Sequence, residues 1–429
     1  MSKQTIFCVS IHFHMISQQV KKFFPVSYLL FFLGFFFLPT ETAHSNLYYL
    51  AVAFPFVCMI FLKKITLKPL LHSKVFTLSV LFLFYMWLTL WWSNDFSPKD
   101  IYVTGRRAFF ILVFIAATVY LILTHRHFLK QLLQLLTIVA TAVSVIYPFY
   151  FYAHHPFPQS RLTGYWLLYN PINTSSIYAI AIFGCLYLLH DQTFGRKRFT
   201  YLFCLPPLFS YIIFSQSRGP FGSFILTCII WLLFASLKIK RVRNYHIKMT
   251  AIFFLFIAVV IGFNFTFPDF FNHFIFERGM SYRIEIWKII FAKIKSAPIW
   301  GNGLNAENIV KMSDGNTFRN PHSVYIATLY YGGVVGLSLL VSLIGYAISK
   351  AMTFQNRQKQ FIAVCTMGYG SLCIIADIYT LIQHPKPFWI FFWFPIALCI
   401  AFEIEEKSPD LKGGWHTEKQ SFPEPHQIQ

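Results

Sequence analysis

Four residues of this chain stand where their chemistry has a use. Arg218 falls in a short polar turn, Ser215-Gln216-Ser217-Arg218-Gly219-Pro220, between two long apolar runs. A guanidinium there either snorkels to the interface or clamps a phosphate with its planar fork. Gly219 and Pro220 open the next helix, whose first amides also favour an anion. Arg283 lies in a segment with helical periodicity, Ser281 to Lys295, in which Ile286, Trp287, Ile290, Phe291 and Ile294 gather on one arc. It shares that face with Trp287, Ile290 and Ile294, so its charge either reaches water or meets an anion. His322 follows Arg319-Asn320-Pro321 and opens another apolar run. An imidazole at such a helix start takes a proton from a hydroxyl nucleophile or serves as a structural hydrogen-bonding group. Asp377 sits inside an apolar run, where a carboxylate marks either a site or an internal ion pair.

The remaining motifs narrow the chemistry. The sequence has no HExxH, no Walker-type loop and no His cluster with metal spacing. The carboxylates between the apolar runs on the side of these residues are scattered and form no DxD pair. Neither a metal nor another cofactor is therefore expected. A site rich in Arg and poor in acids suits a diphosphate-type substrate whose charge the protein itself neutralises. Trp300-Gly301-Asn302-Gly303-Leu304 adds a GxG turn, a common loop feature. Of the eight Cys, all but Cys8 lie in apolar runs and none forms CxxC, so neither disulfides nor a zinc site is expected.

What must position these residues is a membrane domain. The chain is 56% hydrophobic and 12% charged, with 52 Phe, whereas soluble chains carry about 25% charged residues. Twelve apolar runs have the length of spanning helices: 23–40, 46–62, 75–93, 107–124, 131–153, 172–190, 199–215, 219–237, 249–267, 323–346, 361–382 and 388–402. The fold class expected is thus all-α, a polytopic membrane protein of about twelve transmembrane helices embedded in the bilayer. The net charge of +20 comes in bursts between the apolar runs. That pattern belongs to cytoplasmic loops, and no nucleic-acid partner is expected. With the N-terminus inside, 23 of the 36 Lys and Arg face the cytoplasm, and every inner segment carries at least two. Lys21 and Lys22 precede the first run, but no A-x-A-like cleavage site follows, so that helix is read as retained. The organisation expected is a cytoplasmic N-terminus (1–22), a transmembrane domain (23–402) containing a long, partly helical outer loop (268–321), and a disordered cytoplasmic tail (403–429).

Taken in order, three pieces of the sequence resemble the O-antigen ligase family of bacterial membrane enzymes, which share a core domain with O-antigen polymerases. The first is Ser217-Arg218-Gly219-Pro220 at a helix start. The second is Arg283 followed by Ile286-Trp287. The third is Gly301-Asn302-Gly303, then Asn320-Pro321-His322-Ser323-Val324-Tyr325 and Gly332-Gly333-Val334-Val335-Gly336-Leu337. Ser323 stands where the family usually has Asn, and Tyr331 where an acidic residue is frequent. The resemblance implies a metal-independent, inverting glycosyltransferase at the periplasmic face of the inner membrane. Its donor would be a glycan linked through diphosphate to undecaprenol, and its acceptor a hydroxyl of the lipid A–core oligosaccharide. Arg218 and Arg283 would bind the diphosphate and stabilise the departing charge, and His322 would orient or deprotonate the acceptor. Arg161, Arg319, Asn320 and Asp377 are further candidates for holding diphosphate or glycan. An O-antigen polymerase would use the same donor. A transporter or flippase of a lipid-linked glycan is the alternative without bond chemistry.

Overall fold

A computed structural model describes residues 23–63, 65–94, 96–157, 159–190, 197–238, 262, 282–312, 315–375 and 378–407. In lipid no water satisfies backbone N–H and C=O groups, so the apolar runs must close their hydrogen bonds as helices. They do so as α1 (Phe23–Phe36), α2 (Glu41–Phe61), α3 (Lys74–Trp92), α4 (Pro98–Thr124), α5 (Phe128–Tyr152), α6 (Pro171–Leu189), α7 (Lys197–Phe214) and α8 (Arg218–Lys238). After these come the short α9 (Arg283–Ile294), then α10 (Val324–Thr353), α11 (Arg357–Cys373), a π turn (Trp389–Trp393) and α12 (Phe394–Lys407). Among the described residues, the strands β1 (Val310–Lys311) and β2 (Thr317–Phe318) form one antiparallel pair. The protein is an all-α polytopic membrane protein. Among the described residues seven helices, α2 to α6, α8 and α10, are long and apolar enough to cross a bilayer, while α1 and α7 are shorter apolar helices.

Caps explain several starts. Ser73 accepts from Phe76 N, Asn170 from Ile172 N ahead of Pro171, and Asn356 from Gln358 and Lys359 N. At the centre, the π turn and α12 are buried on every side from Trp389 to Ile404. A helix apolar all round belongs inside a bundle. Trp389 meets the rings of Tyr48 and Phe114 at 5.2 and 5.0 Å, which seats this helix against α2 and α4. Around it α3 packs on α10, α10 and α8 on α11, and α5, α6 and α7 on one another.

Several expected limits are corrected. The eleventh run, 361–382, is helical only to Cys373. Leu381 and Ile382 are buried, and the Leu381 carbonyl accepts from Trp393 Nε1 at 3.1 Å. Their apolarity reflects burial of an irregular segment beside the π turn. α4 starts at Pro98 rather than at 107, so Arg106 rides inside the helix and Arg107 is no longer its first residue. α12 runs on to Lys407 because Glu403 is buried and satisfied there: Ser73 Oγ donates to it at 2.6 Å, Lys407 Nζ at 2.7 Å and Tyr346 Oη at 3.2 Å. The ninth run apart from residue 262, the N-terminal 22 residues, 268–281 of the outer loop, Asp377 and the tail beyond 407 lie outside the described residues.

Candidate active site

The site residues are built onto one rim of the bundle, and a chain of hydrogen bonds shows that they share it. Leu162 N donates to Phe214 O at 2.9 Å, joining the segment before α6 to the end of α7. Ser176, near the start of α6, bonds Cys373 Sγ at the end of α11 at 3.2 Å. Val324 N, at the start of α10, donates to Ile374 O at 3.0 Å. The α8 start bearing Arg218 and the α10 start following His322 therefore flank the same end of α11.

His322 stands apart in its backbone. Its φ is 49°, a left-handed conformation that β-carbon crowding makes uncommon outside Gly. Asn320 holds it there, its Oδ1 accepting from His322 N at 3.2 Å, and Pro321 fixes the residue between. Ser323 then caps α10, accepting from Ile326 N. A strained residue fixed by its neighbours at the mouth of a helix is the pattern of a functional position. Asn320 thus has a positioning contact to the His322 backbone.

The amphipathic helix expected at 281–295 forms as α9. Ile286, Ile290 and Ile294 are buried, and the helix packs on α10. Phe291, placed on the buried arc by its spacing, is 48% exposed, because contact with a single neighbouring helix covers a narrower stripe. Trp287 Nε1 donates to Pro321 O at 2.9 Å, tying α9 to the peptide immediately before His322. Arg283 lies one turn before Trp287 on the same face, half-buried. A row of rings reinforces the junction: Tyr282 meets Phe318 at 5.4 Å, and Phe318 meets His322 edge-on at 6.4 Å. The structure thus brings the Arg283 turn and His322 together.

Arg218 is the exposed first residue of α8. The turn before it carries a second left-handed residue, Gln216, at φ 50°. Arg161 reaches across from the segment before α6: its Nε donates to Ser215 O at 3.2 Å and its guanidinium to Ser217 Oγ at 3.1 Å. It holds the turn that presents Arg218, a positioning contact that chain spacing could not show because 54 residues separate Arg161 from Ser215.

The GxG turn has a structural use. α10 kinks at Gly333 (φ 63°, ψ −165°), and Gly301 (φ 76°) backs onto the kink. A β-carbon on Gly301 would collide with the Tyr331 carbonyl and the Gly333 nitrogen, and one on Gly333 with the Ile299 carbonyl. The exposed ends of the broken helix are repaired from this turn. Asn302 N and Gly303 N donate to Tyr330 O and Tyr331 O at 2.9 Å, and Val334 N donates to Pro298 O at 2.9 Å. Tyr85 Oη adds a 2.8 Å bond to Gly332 O. The two glycine motifs are therefore the halves of one clamp that fixes the first segment of α10, and with it His322.

Sequence reading missed a chamber beside this loop. It has a volume of about 620 Å3 and is walled by α4 at Thr104 and Arg107, by residues 304–309, by Arg319 and Tyr331, and by residues 379–386. Arg161, Arg218, Arg283 and His322 do not line it. Its walls come from separate parts of the chain, so no local spacing announces it. Among the described residues no three His, Cys, Asp or Glu side chains gather as a metal site.

Comparison with known proteins bears on this geometry. The family model described as O-antigen ligase matches residues 202–341, the stretch that holds Arg218, Arg283, both glycine motifs and His322. The chain is also 25% identical over 386 residues to an O-antigen ligase of Pseudomonas aeruginosa, covering 89% of this chain and 91% of that protein. The chain is thus similar to the O-antigen ligase family over the motif-bearing region and to an O-antigen ligase over most of its length. A ComP-specific O-oligosaccharyltransferase of Acinetobacter baylyi is 23% identical over 220 residues, 48% of this chain and 39% of that protein. These similarities, with the many apolar helices, support a multi-pass inner-membrane protein and a glycosyl-transferring enzyme of the ligase type.

Proposed function

We propose that the protein is an O-antigen ligase. It transfers a glycan from undecaprenyl diphosphate to a hydroxyl of lipid A–core oligosaccharide, at the periplasmic face and without metal. The observation that carries this reading is the junction at Pro321: a left-handed His322, held by Asn320, is tied through Trp287 to the helix bearing Arg283. A transporter would place its binding groups at the bilayer midplane; these stand at helix starts on one rim. The bias of Lys and Arg toward the opposite segments supports an outer position for that rim.

In this mechanism Arg218 and Arg283 grip the diphosphate, with Arg161 steadying the turn that presents Arg218. The acceptor hydroxyl, oriented by His322, gives its proton to the imidazole as its oxygen bonds to the anomeric carbon. The bond from that carbon to the diphosphate oxygen breaks, and undecaprenyl diphosphate leaves with the charge that the two guanidinium groups stabilise. A single in-line displacement inverts the anomeric configuration.

A lipopolysaccharide gel of the host with the gene deleted, then complemented, tests the reading. Deletion is expected to abolish the ladder, leave the core intact and accumulate lipid-linked glycan. The wild-type gene is expected to restore the ladder and the His322→Ala gene to fail. Core carrying a single repeat unit would instead mark a polymerase, and an unchanged ladder would overturn both.

A further inference from the structure

The chamber has features of a ligand site that the diphosphate mechanism does not use. Asn308 lines it and is only 4% exposed, yet neither its amide nitrogen nor its amide oxygen has a hydrogen-bond partner among the described residues. It lies near the Tyr331 phenol without a properly formed bond. Buried amides are almost always paired, so an orphaned one facing a cavity points to a polar occupant. Thr104, Asn305, Thr380 and Gln383 add neutral donors and acceptors to the walls, and Tyr379 adds an aromatic ring. That mixture matches the hydroxyls and apolar ring faces of sugars, and the volume lies within the range of ligand pockets, about 300–1,000 Å3.

The walls are also cationic and fixed. Arg107, Arg319 and Lys386 line the chamber against one wall carboxylate, Glu307. Glu41 of α2 anchors the far wall, 2.8 Å from His384 Nε2 and 3.4 Å from Lys386 Nζ. The near wall is held by Tyr330 Oη on Glu307 O at 2.9 Å and Lys293 Nζ on Ile309 O at 2.7 Å. A preformed, sugar-like cavity with excess positive charge fits a saccharide that carries a phosphate or carboxylate.

We propose that this chamber is the acceptor subsite, binding an anionic saccharide of the acceptor so that its hydroxyl reaches His322; this rests on the ligase reading above. An in-line displacement needs nucleophile and leaving group on opposite sides of the anomeric carbon. The three arginines assigned to the diphosphate and its turn lie outside the chamber, while Arg319, three residues before His322, forms part of its wall. The loop carrying His322 thus adjoins the helix bearing Arg283 through Trp287 and the chamber through Arg319.

The test uses the full-length protein in detergent with a fluorescent, phosphorylated core oligosaccharide as probe, first in a His322→Ala background so that binding is read without turnover. Arg107→Gln and Asn308→Leu are each expected to raise Kd about 10-fold at an unchanged melting temperature, and phosphatase-treated probe to bind about 10-fold more weakly. Equal binding by both variants, or equal binding of the dephosphorylated probe, would overturn the proposal. In the otherwise wild-type enzyme, either substitution is expected to raise KM for the acceptor and leave KM for the lipid-linked donor unchanged. A raised donor KM alone would assign the chamber to the donor and overturn the acceptor assignment. Intact, substitution-sensitive binding by a protein that transfers nothing would sink the ligase reading and leave the subsite standing.

Discussion

The two ends of the bundle are held by different sets of contacts. At the end where α10 finishes and α12 runs out, lysines are matched to carboxylates: Lys350 to Glu406 at 3.1 Å, Lys359 to Glu405 at 2.5 Å, and Lys407 to the buried Glu403 at 2.7 Å. At the motif-bearing rim, Arg161 is held by a carbonyl and a hydroxyl, and α9 is tied to the His322 loop by an indole and a carbonyl. The paired end is built for cohesion, whereas at the rim, where His384 and Lys386 also meet Glu41, hydrogen bonds to carbonyls and hydroxyls set the position of the site residues. Substitutions at the paired end should therefore change stability, and those at the rim should change turnover.

The sharpest separation is expected from His322→Ala. Removing the group that takes the proton should lower the transfer rate by about 10²- to 10⁴-fold. The amount of protein in the membrane and its melting temperature should not change. Arg283→Ala and Arg218→Ala come next, each expected to cost about 10²-fold in kcat, the scale of losing one donor to a developing anion. Arg283→Lys, which keeps charge but not the fork, should fall between that variant and wild type. If it turns over at the wild-type rate, bidentate grip on the diphosphate is wrong.

At the paired end the expected signs reverse. Glu403→Ala leaves Lys407, Ser73 and Tyr346 without their acceptor and should destabilise the fold by on the order of 3 kcal/mol, read as a lower melting temperature. The kcat of the surviving enzyme should be unchanged; a kcat loss without destabilisation would break the contrast between the ends. The smallest effect should come from EDTA, since arginines do the work of a metal in this account. Transfer by purified enzyme should persist in it, and loss restored by magnesium would remove the arginine-only account.

How much could be read from the chain depended on whether the cause was local. Apolar runs and the α9 periodicity are local, so the membrane architecture and the turn carrying Arg283 were legible. The overrun beyond Cys373 shows the limit of hydropathy, which does not distinguish residues facing lipid from Leu381 and Ile382, buried in irregular chain. The glycine clamp was visible as two motifs, but only their contact in space shows that Gly301 exists to let α10 kink at Gly333. The left-handed backbone of His322 has no signature in residue type, because it is imposed by Asn320 and by the α9 contact at Pro321. Asn308 was invisible for a similar reason: its significance is an orphaned amide in a wall assembled from separate segments.

The most direct measurement is single-turnover transfer by purified protein, from undecaprenyl-diphosphate glycan to lipid A–core acceptor in EDTA, comparing wild type with His322→Ala at matched melting temperatures. The account predicts inverted product from wild type and a loss of at least about 10²-fold for the variant. Wild-type turnover by His322→Ala would contradict it.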